Sequence, residues 1–133
     1  MRVPWLFIAL LSMLSVVCAD DWPQWRGLQR NGISAETNWL AGWPENAPPR
    51  VAWRQQVGKG HSAVSVRGGL AYTMGWDGSQ DTVFCLDAVT GAVRWKQSYA
   101  CLDIVQWSGP RSTPTVEGDR VFFGSFDGHV YAL

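Results

Sequence analysis

The chain has 133 residues, with 11 lysines and arginines against 11 aspartates and glutamates. That balance gives no electrostatic reason to expect nucleic acid or an acidic membrane surface as a partner. Nine tryptophans and 14 glycines in so short a chain favour Gly-punctuated β structure with aromatic wedges over a helical bundle.

Residues 1–19 read as a signal peptide. Arg2 supplies a short positive start, and 5–17 is an apolar run broken only by Ser12 and Ser15. Val17-Cys18-Ala19 puts small residues at the minus-three and minus-one positions, so the expected cut follows Ala19. The run is short for a membrane span. The alternative is lipidation at Cys18, for which Val17 sits where Gly, Ala or Ser is wanted. Export implies an oxidising compartment, periplasmic or secreted. There Cys85 and Cys101 could form a disulfide, or Cys85 could serve as a small buried hydrophobe in a strand.

Residues 20–50 form a Trp/Pro-rich amino-terminal arm. Asp21-Trp22-Pro23-Gln24-Trp25-Arg26-Gly27 mixes turn formers with tryptophans, and Trp39 and Trp43 follow. A disordered tail does not normally carry four tryptophans, so the arm is expected to lay its aromatics on a folded body.

From residue 51 onward the pattern is β. Strands are expected at 62–66, 70–74, 82–86 and 92–97, with a turn at 67–69, a polar loop at 75–81 and a turn at 87–91. In the last turn Asp87 can accept hydrogen bonds from the turn amides, and Thr90 can do so more weakly. Gly91 can take the positive φ that a bulged hairpin needs. Trp95 presents a large ring for a neighbouring unit.

The pattern then restarts. Ser112-Thr113-Pro114-Thr115-Val116 matches Ser62-Ala63-Val64-Ser65-Val66 at an offset of about fifty, and Phe126-Asp127-Gly128 matches Trp76-Asp77-Gly78. After a three-residue deletion, Val130-Tyr131-Ala132-Leu133 matches Val83-Phe84-Cys85-Leu86. Looking backward, Arg50-Val51-Ala52-Trp53-Arg54 matches Ala92-Val93-Arg94-Trp95-Lys96. A four-stranded antiparallel unit recurring every 40–50 residues or so has the period of a propeller blade. The fold class is therefore all-β, with one complete blade and parts of two others over 51–133.

Leu86-Asp87-Ala88-Val89-Thr90-Gly91-Ala92-Val93-Arg94-Trp95 resembles the tryptophan-docking repeat of the pyrroloquinoline-quinone (PQQ) type β-propellers, with Cys85 standing where that repeat has Ala. Asp21–Gly27, Arg30-Asn31-Gly32-Ile33-Ser34 and 109–115 resemble exported bacterial PQQ-binding-like propeller proteins. The resemblance implies a closed ring of about four to eight blades, of which this sequence would be an amino-terminal fragment.

Quinoprotein dehydrogenases of this fold imply a vicinal disulfide, a calcium site built from Glu, Asn and Asp, and a catalytic Asp. No adjacent cysteines, CxxC or HExxH occur here, and most carboxylates sit in turns. No catalytic or metal-binding residue is therefore assigned.

Propeller geometry places the loops before each innermost strand and between the second and third strands on one rim. That rim would carry Lys59, His61, Trp76, Asp77, Trp107, Arg111 and Asp127. Trp76, Trp107, Arg111 and His61 are the candidates for a planar anionic ligand, stacked on a Trp and paired with Arg. The competing reading is a solvated loop rim. His129 reads as structural.

The expected function is a non-catalytic exported scaffold, with a protein or small molecule on the propeller face. The resemblance to outer-membrane assembly lipoproteins adds outer-membrane association. The alternatives are a PQQ- and calcium-dependent oxidoreductase with its active-site groups in further blades, and a sugar- or peptide-binding module.

Overall fold

The computed structural model describes residues 20–37, 42–101 and 108–133. The described residues form seven strands and no helix: β1 Ser65–Arg67, β2 Leu70–Trp76, β3 Gln80–Asp87, β4 Val93–Ala100, β5 Thr115–Glu117, β6 Arg120–Gly124 and β7 Val130–Ala132. They make two antiparallel sheets in simple meander order, β1-β2-β3-β4 and β5-β6-β7.

The two sheets repeat in register as well as in sequence. Tyr72 pairs with Cys85 and Met74 with Val83 in the first. Phe122 pairs with Ala132 and Gly124 with Val130 in the second. Mutual hydrogen bonds between Val121 and Leu133 extend the β6–β7 ladder.

Element ends differ from the sequence reading for identifiable reasons. The polar loop expected at 75–81 is only three residues long, because Asp77 Oδ1 accepts from the backbone of Ser79 and Gln80, each at 2.9 Å. That tight turn frees Gln80 and Asp81 to start β3. The strand expected at 112–116 begins after Pro114, which has no amide proton for a ladder. The strand expected at 62–66 begins at Ser65. Its first residues bond elsewhere: Ala63 N–H donates to Thr113 Oγ1 at 3.1 Å, and Ala63 O accepts from Thr73 Oγ1. Residues 50–54 are not a strand, since no neighbouring strand among the described residues pairs with them.

Gly91 does take a positive φ of 73°, yet the β-bulge lies further on. Cys85 opposes Trp95 and Leu86 opposes Val93, so Arg94 is the extra residue. The bulge sends its guanidinium back to Asp87, Nη2 to Oδ2 at 2.6 Å.

The sheets pack face to face. Tyr72 and Cys85 meet Val116 and Val121 in one cluster, with Leu70 and Trp95 against it. Met74 and Val83 meet Phe123 in another, with Trp95, Tyr99 and Tyr131 against it. Tyr99, Phe123 and Tyr131 stack with ring centroids 4.9–5.9 Å apart. Full burial of a Val, Phe or Met side chain is worth roughly 1.5–3 kcal/mol, so these side chains are the main source of cohesion between the sheets. Among strand pairs, only β1 and β5 bring the two sheets into backbone contact. The sheets therefore converge at their first strands.

The other face of the first sheet is covered by residues 53–58. The Trp53 indole lies on Gly91, where a Cβ would come within 2.5 Å of the ring, and its Nε1–H donates to Ala88 O at 3.1 Å. A tryptophan outside the sheet thus docks in the Asp87–Gly91 turn of the blade that follows it. Gly75 lies so close to the Val57 carbonyl that no side chain fits between them.

The amino-terminal arm meets both sheets where they converge. Trp22 and Val66 exchange two backbone hydrogen bonds, and Val116 N–H donates to Pro23 O at 2.8 Å. Trp25 and Trp43 are exposed, so of the arm's described tryptophans Trp22 alone is drawn in. Trp39 lies outside the described residues.

Candidate ligand rim

Three loops build one end of the molecule. Lys59 and Trp76 form an antiparallel bridge, with N–H to O distances of 2.8 and 2.9 Å. His61 N–H donates to Pro110 O at 2.8 Å. Gly109 lies against the Lys59 carbonyl, where a Cβ would be 2.5 Å from its oxygen. Segments 58–61, 75–77 and 109–111 are therefore knitted by main chain. This places the backbones of Lys59, His61, Trp76 and Arg111 side by side.

The side chains differ in what they can offer. Trp76 is half-buried, its Nε1–H directed at Cys101 O at 3.4 Å, so its ring is partly committed to covering the sheet end. His61 and Lys59 are exposed. Trp107 lies outside the described residues. Arg111 is exposed and lines a cleft of about 340 Å³ with Gly109, Ser112, Gly124, Ser125 and Phe126. Its guanidinium makes no ion pair with the described residues. Ser112 Oγ braces the cleft by accepting from Gly124 N–H at 2.9 Å. Phe126, Ser112 and Ser125 carry no local site signal in the sequence, because their shared cleft exists only once β5 and β6 are paired.

The rim carboxylates are engaged locally. Asp77 is held below the usual carboxylate range by hydrogen bonds from the Ser79 and Gln80 backbone. Asp127 is held low by Ser125 Oγ and by His129, whose Nδ1 lies 2.9 Å from Asp127 Oδ2. His129 thus steadies a turn. At the opposite end of β3 from the rim, Asp87 is pulled to about 2, first by Arg94 and then by Thr90. Its Oδ1 accepts from Val89 N, Thr90 N and Thr90 Oγ1 at 2.8–3.1 Å.

Calcium demands several convergent oxygen ligands. Among the described residues no three His, Cys, Asp or Glu side chains gather into a metal site, and the turn carboxylates point into their own loops. The described residues do not fit that ion.

Cys85 and Cys101 are free thiols. Cys85 is core, its thiol pushed up by burial. Burial together with Asp81 pushes Cys101 up to about 11. Asp81 also accepts from Tyr99 Oη at 3.2 Å. Both thiols are held protonated and are poor nucleophiles.

A larger cleft of about 540 Å³ lies where the arm meets β1, lined by Trp22, Ser34, Glu36, Val64 and Val66 among others. Nothing local in the sequence marks it, because its walls come from residues 20–36 of the arm and from Val64 and Val66.

Residues 45–133 match the model of a family of PQQ-like repeats described as outer membrane protein assembly factor BamB. No curated protein matches the chain, and no solved structure does.

Proposed function

The chain belongs to the BamB family of PQQ-like repeat proteins, and we propose that it is an exported propeller protein that binds and helps assemble other envelope proteins without being a catalyst itself. The observation that carries this reading is membership of a family described as an assembly factor. The periplasm is the compartment, as is typical of the family, with residues 1–19 as the leader and association with the outer membrane through partners.

The rim around Arg111 is the partner site. An exposed guanidinium beside an exposed Phe126 ring suits a carboxylate next to an apolar group on a partner surface. Arginine pairs with carboxylates in a two-pronged geometry that lysine lacks. The rim carboxylates are tied into their own turns and do not compete for it.

The test is site-specific photo-crosslinking in the native envelope, with the reactive side chain at Phe126. An adduct with an envelope protein, lost in Arg111→Glu, is expected. Calorimetric titration of the protein with PQQ at millimolar calcium is expected to show no binding. Calcium-dependent quinone binding would replace this reading with the oxidoreductase one.

A further inference from the structure

The arm is a closed loop, and its closure sits at the expected cleavage site. The Asp20 backbone nitrogen lies 2.7 Å from Glu36 Oε1. Between those ends the chain makes a compact Ω-type loop. Gln24 Nε2 donates to Gly27 O and Leu28 O, each at 3.2 Å. Gly32 N–H donates to Arg26 O at 2.9 Å. Gly27 lies on the Trp22 indole, where a Cβ would be 2.7 Å from the ring.

The start of this loop also ties the blades together. Asp21 Oδ1 accepts from Gly68 N–H at 2.9 Å. Trp22 then pairs with Val66 of β1, and Pro23 O accepts from Val116 of β5. The sequence pattern that marks Ala19 as the cut and the geometry that seats Asp20 meet at one peptide bond.

We propose that cleavage after Ala19 sets this clamp, with Glu36 as the receptor for the new amino terminus. In the precursor the Asp20 nitrogen is a neutral amide. Hydrolysis by a leader-removing protease adds one water across the Ala19–Asp20 bond. Ala19 departs as a carboxylate, and the Asp20 nitrogen takes up protons to become an α-ammonium. A hydrogen bond from a neutral amide to the Glu36 carboxylate then becomes an ion pair between an α-ammonium and that carboxylate. Maturation thereby fastens residues 20–36 across the convergent first strands of two blades. The Glu36 carboxylate faces the Asp20 nitrogen, while Asp21 is committed to the Gly68 amide. The proposal rests on the export reading above.

The test uses the protein exported from its own full-length gene. Intact mass is expected to place the amino terminus at Asp20. The α-amine pKa, followed by pH-dependent acylation, is expected to lie about half a unit or more above the ordinary 7.7–8.0. In Glu36→Gln, which keeps an acceptor and removes the charge, it is expected to return to that range. Tryptic cleavage at the exposed Arg26 and Arg30 is expected to become several-fold faster in that variant. A retained leader overturns the clamp, and a retained leader on protein found in the cytoplasm overturns the export reading as well. A lipid-modified Cys18 overturns the clamp and leaves export standing. An Asp20 terminus with the same α-amine pKa in both proteins overturns Glu36 as its receptor.

Discussion

The two sheets share a sequence pattern and a strand register but not a burial pattern. Val83 and Val130 occupy equivalent positions, each opposite the same point of the preceding strand. Val83 is 0 % exposed and Val130 is 79 % exposed. The difference lies in what covers each sheet. The first has the second sheet on one face and residues 53–58 on the other. The second has only the first sheet against it among the described residues. In a blade, the repeat sets which residues pair, and the neighbours set which of those pairs become core.

The sharpest way to break that comparison is at the covered faces. Gly75→Ala drives a methyl into the Val57 carbonyl. It is expected to destabilise by about 3 kcal/mol or more, beyond ordinary overpacking. Gly124→Ala, whose nearest neighbours are 3.8 Å away, is expected to stay within about 0.5 kcal/mol. Urea unfolding midpoints of the two variants decide it.

Next in size is the valine pair. Val83→Ala is expected to cost about 2 kcal/mol through lost burial and a small cavity, and Val130→Ala about 0.5 kcal/mol or less. Equal losses, measured by the same unfolding curves, would mean that Val130 acquires a covering element in solution.

Trp53→Phe tests the docking contact itself. It keeps an aromatic ring on Gly91 and removes the indole N–H bonded to Ala88 O. A loss of about 1–2 kcal/mol is expected, with Trp43→Phe, at an exposed site, near zero. Thermal melts of the two single variants give the contrast.

The smallest effect concerns pH. Asp87 titrates at about 2 in the folded chain, below its ordinary value near 3.9. Its turn contacts therefore stabilise fully above about pH 4, and that contribution is lost as pH falls from there toward 2. Asp87→Asn is expected to flatten the fall in melting temperature across that window. A carboxyl carbon shift for Asp87 with a midpoint near 4 would remove the basis for the effect.

The blade was legible in the sequence because its signals are local. Asp87, Thr90 and Gly91 close a turn within five residues, and their hydrogen bonds follow from side-chain reach alone. The strand ends were less legible, since Pro114 and the Asp77 turn each move a boundary through one missing or one added backbone bond. The rim was half legible: Arg111 and Trp76 stood out by type, whereas Phe126, Ser112 and Ser125 join the cleft only through β5–β6 pairing.

By itself the sequence determined the repeat, the all-β class and the Asp–Gly turns, all of which depend on spacing within one blade. Tertiary structure alone decided that Trp22 inserts where two blades converge while Trp25 and Trp43 stay in water, that Trp53 docks on the Asp87–Gly91 turn, and that the Asp20 nitrogen meets Glu36. Each of those depends on groups that become neighbours only after chain segments far apart have packed, and no local pattern encodes that distance.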